Sequence, residues 1–201
     1  MFVIWVRPLF LYALQINITI LINQTSAQYD AVIEKCRHIF LSKSKDYGTS
    51  WRVMRLSSIA DQIFIKAQRI RTIEEKGNQK IDEGAESEFM GIVNYCIIGL
   101  IQLELANETD LDVPIEKLTD LYNKHITETK DLMMQKNHDY GEAWRSMLVS
   151  TFTDMILMRL LRIRQIQEAK GQTIMSEGVE ANLQDMINYS VFALIHLTAK
   201  A

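Results

Sequence analysis

Four acidic residues in the second half of the chain, Asp154, Glu177, Glu180 and Asp185, are of the type that binds a hard divalent cation through oxygen. On a helix with Asp154 at zero and about 100° per residue, Met147 falls at about 20°, Met158 at about 40°, Leu161 at about 340° and Leu157 at about 300°. This spacing predicts that Asp154 sits at the centre of an apolar stripe. Asp61, flanked by Met54, Phe64 and Ile65, repeats the placement, and Glu180 shares a face with Leu183, Ile187, Val191 and Leu194, with Glu86 as its repeat. A carboxylate among apolar side chains needs a cation. Asp154, Glu180 and Asp185 are therefore read as a magnesium site whose shell a substrate phosphate completes. The competing reading is structural ion pairing with Arg52, Arg145, Arg69, Arg162, Arg71 or Arg164.

A second group of polar residues surrounds two Asp-Tyr-Gly segments. His138, Asp139, Tyr140, Trp144 and Arg145 combine flat aromatic and guanidinium groups, suited to stacking a base and holding a phosphate at a helix start. The alternative is a tight corner in which the tyrosines wedge the turn, the tryptophans fill the core and the aspartates cap. His138 has no second histidine at metal spacing, which argues against zinc. No glycine-rich phosphate loop, nucleophile elbow or Cys-x-x-Cys pair is present.

The elements that must position these residues come in two copies. Lys45-Asp46-Tyr47-Gly48, Trp51-Arg52 and Asp61 recur 93 residues later as His138-Asp139-Tyr140-Gly141, Trp144-Arg145 and Asp154. After one inserted residue, Glu83-Gly84-x-Glu86 matches Glu177-Gly178-x-Glu180, and Asn94-Tyr95 matches Asn188-Tyr189. The chain is thus a tandem repeat. The first copy supplies a second half-site: Lys45, Asp46, Arg52, Asp61, Glu86, Glu88 and Asn94. It carries Gly91 where the second has Asp185, and Glu88 where the second has Asn182.

Apolar residues recur at helical spacing and no strand signal competes, so an all-α fold is expected: two tandem three-helix repeats packed as a pseudo-two-fold bundle. Helices are predicted near 28–45, 51–76, 85–105, 117–138, 144–170 and 177–199. Gly48, Gly77, Gly141 and Gly171 serve as stops, and Ser176 caps the last helix. The division is an apolar extension over 1–24, a first repeat over 25–105, a linker over 106–116 and a second repeat over 117–201. The extension is read as a spurious upstream segment ahead of a membrane role. A net charge of −3, from 22 basic and 25 acidic residues, provides no footprint for duplex nucleic acid. Cys36 and Cys96 lie in apolar helical stretches and read as buried thiols of a reducing, cytoplasmic compartment. A homo-oligomer is compatible with the repeat, which already imitates a dimer.

The segments Lys136-Asn137-His138-Asp139-Tyr140-Gly141-x-x-Trp144-Arg145, Asp154, Arg162-Ile163, Ser176-Glu177-Gly178 and Asp185-Met186-Ile187-Asn188-Tyr189 resemble the nucleotide modification associated domain, type 1. The resemblance covers nearly all of the second repeat and, more loosely, the first. It implies nucleotide metabolism in bacterial and phage settings, with a nucleotide or modified nucleotide as ligand, and it adds Arg162 and Asn188 to the substrate-binding set. A more distant similarity is to all-α nucleoside triphosphate pyrophosphohydrolases of the MazG and dimeric dUTPase-like class. That similarity implies magnesium on Asp154, Glu177, Glu180 and Asp185, a metal-bound water attacking the α-β linkage, and Arg145 or Arg162 steadying the charge. The sequence departs from that class in lacking Glu-Glu-x-x-Glu, and Glu-x-x-Asp is reduced to Asn182-x-x-Asp185.

Overall fold

The computed structural model describes residues 6–76, 84–169 and 178–199, with side chains from Gln24 onward. Six α-helices follow one another: α1 (Val6–Tyr47), α2 (Leu56–Lys76), α3 (Ala85–Glu104), α4 (Ile115–Tyr140), α5 (Val149–Glu168) and α6 (Val179–Thr198). The all-α, two-repeat architecture is as expected, and among the described residues there is no strand. Gly77, Glu83, Gly171, Ser176 and Glu177 lie outside the described residues. Among the described residues no helix is long and apolar enough to cross a membrane.

The third helix of each repeat reads apolar on most sides because it lies at the centre. In α3 the side chains of Phe89, Ile92, Val93, Cys96, Ile97 and Ile101 are wholly buried, and α6 buries Met186, Ile187, Val191 and Ala193. The two helices pack along each other closely enough that a methyl group on Gly99 would meet Leu183 Cδ1 at 2.9 Å. Ala193, the repeat partner of Gly99, is also small. Helix α2 covers α3, α5 covers α6, and α2 and α5 meet each other, while α1 and α4 close the remaining side. Each fully buried isoleucine of α2, Ile59, Ile63 and Ile70, contributes on the order of 2 kcal/mol through removal of apolar surface from water.

The repeats exchange contacts reciprocally. Tyr29 of α1 donates to Asn188 Oδ1 of α6 at 3.0 Å, and its repeat partner Tyr122 of α4 donates to Asn94 Oδ1 of α3 at 3.2 Å. Burial pushes both phenols far above their ordinary pKa, so each hydroxyl keeps the proton it donates. On the outer seam Arg71 pairs with Asp154 and Arg164 pairs with Asp61, the second bond being the first under the repeat operation. Cys36 and Cys96 are free buried thiols, as expected, and burial pushes the Cys36 pKa up to about 12.

Three expectations about the elements need correction. The second helix of each repeat does not begin at Trp51 or Trp144. Those residues lie in 3-10 turns over Ser50–Val53 and Ala143–Ser146. Extended Met54 and Met147 then redirect the chain into α2 and α5, so no α-helix N-terminus faces the Trp-Arg pairs. Helix α1 runs without a break through residue 25, because no glycine or proline follows Pro8 to stop it. The predicted stops at Gly48 and Gly141 are present, with φ of 62° and 59°. In the second repeat a left-handed Glu142, at φ 62°, follows as well.

Candidate functional site

Among the described residues, which leave out Glu177, the expected metal cluster does not assemble. Asp154 is exposed, 65% of its side chain being open to solvent, and its partner is Arg71 on the neighbouring repeat. Its buried neighbours on α5, Phe152, Ile156, Leu160 and Ile163, centre about 180° away from it. Helix α5 is apolar nearly all round, and the stripe that holds Asp154 is the solvent-facing one, where Met158 and Leu161 are more than half exposed. Asp61 is exposed for the same reason and holds Arg164 at 2.9 Å. Glu180 and Glu86 are exposed first-turn acids of α6 and α3, where a carboxylate complements the helix dipole. Glu86 lies 3.9 Å from Lys35. Among the described residues no three His, Cys, Asp or Glu side chains are placed to share one ion.

The arginines of the two corners bind groups of the protein itself. Arg145 gives Nε to Glu142 at 2.7 Å and Nη2 to Thr25 at 2.6 Å and to Gln28 at 2.9 Å, with its guanidinium 4.5 Å from the Trp144 ring centre. The Trp144 ring also stacks on Phe192 at 4.4 Å and 8°. With only 5% of Trp144 exposed, the ring is engaged by its own neighbours and not laid open to solvent. Arg52 donates to Gln102 and to the carbonyls of Leu105 at 3.2 Å and Glu108 at 2.9 Å, tying the first corner to the end of α3. Both Trp-Arg pairs are thus engaged by groups of the protein itself.

Among the described residues three acids are buried, and two of them, Asp185 and Glu88, lie beside a cavity, while the third, Glu142, holds the second corner. In the second repeat, buried Asp185 of α6 receives Lys136 of α4 at 3.3 Å and Arg159 of α5 at 2.7 Å. These three line a cavity of about 340 Å³ whose other walls are mostly apolar, from Met133, Met147, Met155, Phe152 and Phe192. Asn137, Tyr140, Asn188 and Tyr189 complete it, and Tyr140 is 73% exposed. With two cations against one carboxylate, the charged lining sums to +1.

The first repeat encloses an equivalent cavity of about 530 Å³, lined by Lys43, Lys66, Glu88, Asn94, Tyr47 and Tyr95 among others. Lys43 corresponds to Lys136, Lys66 to Arg159, Tyr47 to Tyr140 and Asn94 to Asn188. The acid has moved one turn along the helix, from the Asp185 position, held here by Gly91, to Glu88. Glu88 is buried and binds Lys66 at 3.1 Å and Arg69. The Lys66 chain fills the space over Gly91, where a methyl group would meet its Cε at 2.7 Å.

Of the residues singled out from sequence, Asp185, Tyr140, Trp144 and Asn188 line the second cavity, and Glu88 and Asn94 line the first. His138 and Asp139 pair with each other at 3.2 Å on the outer surface, and Arg162 lies near Gln165 at 3.5 Å on the outside of α5. Neither group lines the cavity, and Lys45 and Asp46 are exposed outside theirs. Sequence reasoning missed the cations Lys43, Lys66, Lys136 and Arg159. Their signal was available: a basic residue stands at both members of each repeat pair.

The comparisons with known proteins add one match. The profile described as nucleotide modification associated domain 1 aligns to residues 43–103 and again to 136–197. Each match begins at the cavity lysine of its repeat, Lys43 or Lys136. No curated protein and no solved structure matches the chain significantly. With most of each cavity's lining inside the matched segments and more than half of the chain aligned, the protein belongs to the nucleotide modification associated domain 1 family, in two tandem copies.

Proposed function

We propose that this chain binds the phosphate end of a nucleotide, or of a modified nucleotide, in the cavity of the second repeat. Lys136 and Arg159 take the phosphate, and Tyr140 at the mouth offers its open face to the base. The observation that carries this reading is the Lys136–Asp185–Arg159 cluster, two cations assembled from different helices around one buried carboxylate in a mostly apolar cavity. The surplus positive charge of Lys136 and Arg159 over Asp185 favours an incoming phosphate, which the two cations bind through charge-assisted hydrogen bonds in competition with Asp185. The volume lies within the range of small-molecule sites, about 300 to 1,000 Å³.

Magnesium, in this reading, accompanies the nucleotide phosphates rather than residing in the protein. Asp154, Glu180 and Asp185 do not form one donor set, and Asp185 alone is the acid that a phosphate-bound ion would meet in this cavity. Binding without turnover follows, the behaviour of a nucleotide sensor. The test is the melting temperature of the chain with a panel of common and modified nucleotides, with and without magnesium, alongside an assay of pyrophosphate release. A saturable upward shift without release is expected. Release dependent on magnesium would replace the sensor by a hydrolase, and the absence of any shift would end the nucleotide reading.

A further inference from the structure

The cavity of the first repeat differs from its partner in chemistry that a ligand would feel. Among the described residues Lys43 has no acidic partner, whereas its counterpart Lys136 is held by Asp185. Lys66 stands 5.9 Å from the Tyr95 ring centre and is bound to Glu88. The cavity is larger and is lined by Ser44, Ser50 and Ser87, whose counterparts in the second repeat are Asn137, Ala143 and Ala181. Ser44 gives its proton to the Phe40 carbonyl at 2.9 Å, and Ser87 gives its proton to the Gly84 carbonyl at 3.0 Å. Both hydroxyls therefore present lone pairs, which accept hydrogen bonds from a ligand.

From this arrangement we infer that the first-repeat cavity is a second ligand site, selective for a phosphate monoester that carries free hydroxyl groups, the class of the pentose phosphates. Lys43, the uncommitted cation, receives the phosphate, and Ser44 and Ser87 accept from the sugar hydroxyls. Tyr47, exposed at the mouth, covers the ring. The site needs no exchange of partners, since Lys43 gives up no ion pair on binding. It stands independently of the nucleotide reading for the second repeat, because no lining residue is shared.

The experiment is isothermal titration of the full chain with ribose 5-phosphate and with ethyl phosphate, which has the anion and none of the hydroxyls. Saturable binding of ribose 5-phosphate is expected, with ethyl phosphate at least about tenfold weaker. Lys43→Gln, at an exposed position where folding is undisturbed, is expected to weaken ribose 5-phosphate by about tenfold or more. Lys136→Gln is expected to leave it unchanged. Absence of saturable binding to the wild type, equal affinity for the two phosphates, or loss in Lys136→Gln in place of Lys43→Gln would each overturn the assignment. Nucleotide titrations of the same two variants report on the other cavity, so the two readings fail separately.

Discussion

The two cavities occupy equivalent places in equivalent repeats, yet each balances its charges differently. In the second, Asp185 lies between Lys136 and Arg159 and commits both cations. In the first, Glu88 sits one turn earlier, takes Lys66 and Arg69, and leaves Lys43 unclaimed among the described residues. The shared demand is one buried acid per cavity facing a lysine or arginine from the second helix. The variable element is where along the third helix that acid stands. Moving it by one turn keeps the charge balance inside the bundle while changing which cation is available to a ligand. A duplicated fold can thus pair its cavity cations differently by moving one acid along one helix.

The corners show a second divergence, and the largest predicted effect tests it. Glu142 is buried and accepts from Asn137, Thr25 and Arg145, whereas its counterpart Thr49 donates to the Leu111 carbonyl at 2.6 Å and accepts from Val113 N–H at 3.0 Å. Glu142→Ala strands Arg145 and should cost about 3 kcal/mol in chemical denaturation. Thr49→Ala should cost only about 1 kcal/mol. Equal losses would mean that the corners are energetically alike despite their different bonds.

The reciprocal tyrosines probe how alike the repeats remain. Tyr29→Phe leaves Asn188 Oδ1 without its donor, and Tyr122→Phe does the same to Asn94, which keeps its bond to the Cys36 carbonyl at 3.0 Å. Losses of about 1 to 2 kcal/mol are expected for each, larger at Tyr29, by denaturant midpoint at constant slope.

A smaller effect comes from His125, whose repeat counterpart is the apolar Val32. Burial holds the His125 imidazole below its ordinary pKa of 6.5, with Glu104 and Glu128 pulling the other way. The unfolded chain therefore binds the proton first as pH falls. The stability due to the neutral ring is complete above 6.5 and lost progressively below it. Melting temperatures measured between about pH 7.5 and pH 5.5 should fall more steeply for the wild type than for His125→Val. The smallest change is expected at the outer seam. Asp154→Asn or Asp61→Asn removes an exposed ion pair worth roughly 0 to 1 kcal/mol, and neither should alter ligand binding.

Much of this architecture was legible in the residues. The 93-residue offset revealed the duplication, the glycines after each first helix marked left-handed stops that the backbone adopts, and apolar spacing located all six helices. The acids were misplaced because a wheel identifies an apolar face but cannot choose between two. Helix α5 has one stripe through Ile156 and Leu160 that is buried and another through Met158 and Leu161 that is open to water. The choice between them is made by α2 and α6, which pack on α5 from distant parts of the sequence. The cavity cations escaped notice for a different reason: a lysine or arginine on an amphipathic helix ordinarily belongs to the solvated face, and only the burial of Asp185 and Glu88 reveals that these reach inward.

Whether the Lys136–Asp185–Arg159 cluster receives a nucleotide phosphate is decided by calorimetric titration of the wild type, Lys136→Gln and Arg159→Gln with the nucleotide that most raises the melting temperature. One nucleotide per second-repeat cavity is expected, weakened about tenfold or more by either substitution. Affinity unchanged in both variants, with the fold intact by circular dichroism, would contradict that role.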